Sequence, residues 1–169
     1  ITPIVEDDFL IGFITIGKNY DLEQEQNEQL KEDLSLDSLT KLLNKKAFET
    51  KYKNAIEGYL KHKDSFCMMF IDLDNFKQVN DTMGHDAGDN AIKESARFLR
   101  ENIRKSDDIF RFGGDEFIVL LYATKQEDAS ILCQKLEDLF LKSPMASNYK
   151  IGISIGYKEY KGEDAELFF

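Results

Sequence analysis

Apolar residues along this chain follow two rhythms. Residues 66–73 carry an almost unbroken apolar run, Phe66-Cys67-Met68-Met69-Phe70-Ile71 followed by Leu73, the mark of a central strand covered on both faces. Ile151, Ile153, Ile155 and Tyr157 instead alternate with Gly152, Ser154 and Gly156, which predicts a strand with one large-residue face. Apolar segments on either side of Gly113-Gly114 predict a hairpin, 107–112 paired with 116–122, in which the two glycines supply turn angles that other residues resist. Helical spacing fills the rest. Asn44 is placed to cap a helix whose Phe48, Tyr52, Ala55, Ile56 and Tyr59 share one face. Asp74 or Asn75 opens a short helix that runs to about Met83 and ends at Gly84. His85 then falls in a turn. A longer helix over 88–104 turns Ile92, Ala96, Leu99 and Ile103 inward, and another over 126–141 does so with Ala129, Leu132, Cys133, Leu136 and Phe140. Pro144 marks a loop, and 163–169 begins a helix that the sequence does not finish. Strands separated by helices, with one hairpin, make this an α/β fold, a mixed and mostly antiparallel sheet flanked by helices.

Two segments precede this pattern. Residues 9–16 are β-branched and aromatic and predict a strand. Residues 21–36 are rich in Gln and Glu, with Leu22, Leu30 and Leu34 on one helical face. A stripe that thin needs a partner. Pairing across a dimer and a solvated linker helix both fit it. The expected division is therefore 1–36, the end of an upstream domain plus a linker helix, and 37–169, the main domain.

Composition narrows the function. A length of 169 residues suits one domain with an appendage, and 42% hydrophobic content supplies a core. The net charge of -10 argues against DNA or RNA as a partner, since such binders need a basic surface. The two cysteines have neither metal-ligand nor disulfide-framework spacing, which implies a reducing, cytoplasmic setting. The apolar run at 9–16 is too short to span a bilayer, and acidic residues stand where a signal peptide would be basic. The chain starts at Ile, so a longer protein, membrane-anchored or not, is expected around it.

Candidate chemistry concentrates in acids at strand ends. Asp115 and Glu116 follow the Gly-Gly turn; Asp72 and Asp74 close the apolar run that begins at Phe66. Carboxylates lifted to the edge of an apolar sheet call for a cation, and such clusters hold divalent metal against a phosphorylated ligand.

Several motifs recur in order: Asp37-Ser38-Leu39-Thr40, the segment from Asp72 to Asp81, Gly84-His85-Asp86-Ala87-Gly88-Asp89, and Gly113-Gly114-Asp115-Glu116-Phe117. Together they resemble a GGDEF domain of the diguanylate cyclase type, from about Asp37 to the end of the chain. The resemblance implies a fold like nucleotide cyclases and polymerase palms. It implies condensation of two GTP into cyclic di-GMP and two pyrophosphates at a homodimer interface, with two Mg²⁺ or Mn²⁺ per site. By position, Asp72 would ligate metal through its side chain and Leu73 through its carbonyl. Asp115 would ligate metal and help deprotonate the 3′-hydroxyl, with Glu116 a further ligand. Lys77 resembles a phosphate-side lysine, and Asn80 and Asp89 match guanine-reading positions. Arg104 and Asp107 resemble an inhibitory Arg-x-x-Asp site for the product; a local ion pair is the plainer reading of the same two residues. Phe76 is read as core. The passage 12–17 is similar to the end of a PAS-type sensor, which would make an upstream sensor domain a partner.

The chain departs from the family pattern twice. Lys41, Lys45 and Lys46 stand where a glycine and an arginine pair are common, which bears on the turn there. The last helix, which normally carries further basic residues, stops on its first turn. A catalytically inactive module that binds GTP or cyclic di-GMP is the alternative expectation, and an interaction surface a third.

Overall fold

A computed structural model describes residues 35–163. The readings for 9–16, 21–34 and the helix after 163 lie outside these residues. The chain divides into two compact units, with the boundary between Ser35 and Leu36. The elements of the second unit are β1 (Leu43–Asn44), α1 (Lys45–His62), β2 (Phe66–Asp74), α2 (Phe76–Met83), α3 (His85–Asn102), β3 (Asp108–Arg111), β4 (Glu116–Tyr122), α4 (Gln126–Leu141), α5 (Pro144–Tyr149) and β5 (Gly152–Glu159). The strands form one sheet in the order β1-β3-β4-β2-β5. Only β1 and β3 run parallel; the other neighbours are antiparallel. The expected mixed, mostly antiparallel sheet is present. β2 is an interior strand paired on both sides, as its apolar run requires, but β4 takes the middle place.

Strand alternation sorts the core into two layers. Cys67, Met69, Ile71 and Leu73 of β2, with Phe117, Val119 and Leu121 of β4, pack against α3, α4 and α5 through Ile92, Leu99, Leu136, Phe140 and Met145. The intervening Phe66, Met68, Ile118 and Leu120 face α1, where Phe48 and Tyr160 complete a smaller aromatic layer. Asp72, Asp74 and Glu116 continue this second series, so the acids emerge on the α1 face of the sheet. Both cysteines are buried, and burial pushes each thiol up to about 12, which removes them as ready nucleophiles. Among the described residues no helix is long and apolar enough to cross a membrane.

Several local expectations are corrected. α3 begins at His85, not Gly88, because a single residue, Gly84 at φ 86, makes the whole corner between α2 and α3. His85 is therefore helical, and Asp89 lies inside the helix and caps nothing. Asn75 stands at the start of α2 in a left-handed conformation without a side-chain cap, and Asp74 does not cap either. Asparagine tolerates that backbone, and the chain uses it to turn from strand to helix in one step. Pro144 opens a helix instead of marking a loop: proline suits the first helical position, and the Ser143 hydroxyl accepts from the Ala146 amide at 3.2 Å. Neither Gly113 nor Gly114 has a positive φ. Gly113 is needed for a different reason: a Cβ there would overlap the Glu116 carboxylate. Asn44 caps α1 as expected, accepting from Ala47 N–H at 3.0 Å.

The replacement of the expected glycine by Lys41 has a visible cost. The turn is made regardless, with Lys41 at φ 57, a region that an L side chain enters only against steric resistance. Lys41→Gly is expected to stabilise the domain by about 0.5–1 kcal/mol, read as a higher urea midpoint with an unchanged denaturant slope. A lower midpoint would show that the lysine side chain contributes more than its backbone loses.

Candidate functional site

Register brings the acids together. Asp72 of β2 lies directly opposite Glu116 of β4 on one side and Ser154 of β5 on the other. Residues paired in this way share a face and bring their Cβ atoms within about 5 Å. Asp115 precedes Glu116 at the mouth of the hairpin, and Asp74 follows Asp72 by one strand repeat. Burial first, then the charges of Asp115 and Asp74, hold the Asp72 carboxyl above its ordinary value. Among the described residues no ion pair or side-chain hydrogen bond engages Asp72, Asp115 or Glu116. Asp74 differs: its carboxylate accepts the Ser154 hydroxyl at 2.6 Å and lies over Gly152, where a Cβ would come within 2.8 Å. It is thus a supporting acceptor. The Leu73 side chain is buried in the main layer, which leaves its backbone carbonyl as the only group it could offer a metal.

The donor set suits Mg²⁺ or Mn²⁺. Among the described residues no three Asp, Glu, His or Cys side chains are gathered closely enough to hold a metal ion by themselves. An ion that prefers one or two carboxylates, with water and phosphate oxygens in its remaining positions, needs no cage. Half-buried carboxylates that repel one another, with no ion-pair partner among the described residues, fit such an ion.

The turn carrying Asp115 is fixed by a residue that sequence reading passed over. Arg111, at the end of β3, donates from Nε and a terminal nitrogen to the Gly114 carbonyl at 3.2 and 2.8 Å. Its other terminal nitrogen meets both oxygens of Asp37 at 3.1 and 3.2 Å. Asp37 also accepts the Thr40 amide at 2.8 Å and hydroxyl at 2.7 Å. Burial pushes the Asp37 carboxyl up, but the Thr40 and Arg111 bonds more than offset it and the net shift is downward. The Asp37–Thr40 motif therefore anchors the Gly-Gly turn. A charge between Phe110 and Phe112 in an apolar strand was the available signal.

The expected guanine pair sits on the α2–α3 corner. Asn75 alone separates β2 from α2, so Lys77 and Asn80 follow the acids along one helix, three residues apart and on one face. Asp89, in the second turn of α3, is exposed, as is Lys77, while Asn80 is half-buried. Phe76 is half-buried against the main layer, as expected.

Arg104 and Asp107 are brought together, but onto each other. Arg104 donates to Asp107 at 2.9 and 3.2 Å, to the Thr124 hydroxyl at 2.9 Å and to the Tyr122 carbonyl at 3.3 Å. Asp107 also accepts the Tyr122 amide at 3.2 Å. Its side chain is 0% exposed, whereas that of Arg104 is 59% exposed. Beside them lies an open groove of about 360 Å³ whose lining includes Lys41, Arg100, Lys105 and Asp108.

Comparison with known proteins agrees with the geometry. A family model described as "Diguanylate cyclase, GGDEF domain" matches residues 34–168. The chain belongs to the GGDEF family. It is 38% identical over 129 residues to the bifunctional diguanylate cyclase/cyclic di-GMP phosphodiesterase MucR of Pseudomonas aeruginosa, a match covering 75% of this chain and 19% of MucR. It is 31% identical over 153 residues to the diguanylate cyclase DosC of Escherichia coli, covering 88% of this chain and 33% of DosC. The chain thus spans a minor part of these relatives. Among solved structures, a sensory box/GGDEF family protein of Caulobacter crescentus superposes with a TM-score of 0.67 at 33% identity, covering 75% of this chain and 83% of the other. The coiled coil and GGDEF domain of DgcB from the same organism, in complex with c-di-GMP, shares the fold at a TM-score of 0.79 and 22% identity, covering 95% and 87%.

The raised Asp72 carboxyl has a consequence for stability. Because its folded pKa lies above the unfolded value, it contributes no penalty in strong acid and a growing one as pH rises through the folded pKa. Asp72→Asn is therefore expected to melt higher than the parent at pH 7 in chelator. The advantage should vanish near pH 3; an equal advantage at both pH values would mean that charge is not its cause.

Proposed function

We propose that this domain is a diguanylate cyclase, joining two GTP into cyclic di-GMP with loss of two pyrophosphates. The observation that carries this reading is the pair Asp72 and Glu116, set opposite each other by register, with Asp115 next to Glu116 and its charge acting on Asp72, in a chain of the GGDEF family. Bound between these carboxylates and the triphosphate, one or two Mg²⁺ or Mn²⁺ ions would supply the charge that stabilises the attacked α-phosphate and the leaving pyrophosphate. Asp72, Glu116 and the Leu73 carbonyl hold; Asp115 holds and accepts the proton of the attacking 3′-hydroxyl. The Lys77 ammonium meets phosphate charge. Asp89 accepts from the paired N–H donors on the guanine edge, which adenine lacks, and the Asn80 amide meets the remaining edge.

Each domain holds one GTP, so two domains face each other about a two-fold axis, with both hydroxyls aimed at the opposite α-phosphate. Segment 1–36, as part of an upstream sensor and linker, sets that approach. Product binds at Arg104 and Asp107 and slows turnover. The paired geometry leaves the exposed Arg104 as the residue that meets the product's phosphates and bases.

A second reading has a specific observation behind it. The chain is also 41% identical over 110 residues, 65% of its length, to a protein of P. aeruginosa named cyclic di-GMP phosphodiesterase NbdA, of which it covers 14%. Similarity thus extends to a protein named for breaking cyclic di-GMP down, and a GGDEF module that binds nucleotide without making product is the alternative.

Incubation with GTP and Mg²⁺, followed by mass spectrometry, decides between them. Cyclic di-GMP is expected from the parent and is expected to fall at least roughly a thousandfold in Asp115→Ala. Nucleotide binding without product would establish the module instead. Arg104→Ala is expected to raise the product concentration that halves the rate by about tenfold or more, since a charge-assisted phosphate contact is lost; unchanged inhibition would remove this pair from regulation.

A further inference from the structure

Gly88 immediately precedes Asp89 and is buried where α3 packs on α2. Its φ is not positive and the helix is regular there, so backbone freedom does not explain a residue that weakens helices relative to alanine. Space does. A Cβ at this position would overlap the side-chain oxygen of Asn80, and would stand 3.0 Å from Asn80 Cγ and 3.3 Å from Phe76 Cζ. The Asn80 amide therefore lies in room that exists only because residue 88 has no side chain, with the Phe76 ring as the adjacent wall.

We infer that Gly88 is a positioning residue for base selectivity: it seats the Asn80 amide beside Asp89 so that the two read a guanine edge together. This rests on the nucleotide-binding reading above. Recognition of a purine edge by two side chains depends on both standing at hydrogen-bond distance at once, and alignment is lost within about an ångström. Among the described residues the Asn80 and Asp89 side chains make no hydrogen bond. No side-chain hydrogen bond among the described residues would therefore hold the Asn80 amide against a methyl group at residue 88. Asn80 also closes α2, its backbone carbonyl accepting the Gly84 amide at 3.0 Å, so the backbone cannot retreat freely and the side chain must yield.

A double-mutant cycle tests this. GDP and IDP, the latter lacking the exocyclic 2-amine of guanine, are titrated with Mg²⁺ into the parent, Gly88→Ala, Asn80→Ala and the double variant. Gly88→Ala is expected to weaken GDP by roughly tenfold or more and, because a base no longer held by Asn80 meets Asp89 out of line, to shrink the preference for GDP over IDP. In the Asn80→Ala background, where no side-chain oxygen remains to be struck, the same change should alter GDP affinity by less than about twofold. Equal losses in both backgrounds, or parent-like GDP binding by Gly88→Ala, overturn the inference and leave the nucleotide site standing. A parent that binds no GDP overturns both. Two readouts need no ligand. An Asn80 side-chain amide resonance that does not move in Gly88→Ala overturns the inference. If Gly88→Ala folds poorly, its melting temperature should recover in the double variant, and a failure to recover also overturns it.

Discussion

Like charges held together by strand register are the constraint around which this domain is built. Antiparallel pairing sets Asp72 beside Glu116 as firmly as it sets Met69 beside Val119. The apolar pairs deeper in the same ladder are buried in the core and fix the register. The acids cannot slip apart without moving every buried side chain of β2 to the wrong face. Hydrophobic burial thus holds the carboxylates against their own repulsion, and the raised Asp72 carboxyl is the visible consequence. A site of this kind is less stable empty than it would be with neutral residues.

Much of this was legible in the sequence because it depends on period and on local chemistry. The unbroken run of β2, the alternation of β5, the amphipathic face of α4 and the Asn44 cap all follow from side-chain spacing alone. The acids were legible because charged residues at the ends of apolar strands are conspicuous. What escaped depends on contacts across the fold. Arg111 reads as one more charge until Asp37, 74 residues away in sequence, is seen to accept from it. The two turn glycines read as a demand for left-handed backbone, whereas Gly113 serves to admit the Glu116 carboxylate. Residues 84–87 read as a turn between two helices, the second expected to begin at Gly88. In the structure Gly84 alone turns the chain and Gly88 makes room for Asn80. In both motifs the sequence announces a glycine but not which of its two properties, freedom of φ or absence of a side chain, is used.

The β3–β4 hairpin ties these parts together, because an arginine–aspartate pair grips each end of it. At the turn, Arg111 joins Asp37 to the Gly114 carbonyl, one residue before Asp115. At the far end, Arg104 joins Asp107 to Tyr122 and Thr124. The two pairs differ in exposure: Arg111 and Asp37 are 16% and 19% exposed, Arg104 59%. Removing one partner of a largely buried pair strands a charge away from water, so the turn-end clamp is structural and resists exchange. Arg104, open to solvent, can trade its bonds for water or phosphate oxygens, but the cost of parting falls on Asp107, whose side chain is 0% exposed. The exposed guanidinium thus stands at the Arg104 end and the largely buried one at the Asp115 end, on opposite ends of one pair of strands. A ligand that draws Arg104 away from Asp107 leaves a fully buried carboxylate with only the Tyr122 amide as donor among the described residues. That burden falls on the last residue of β4, the strand whose first residue is Glu116.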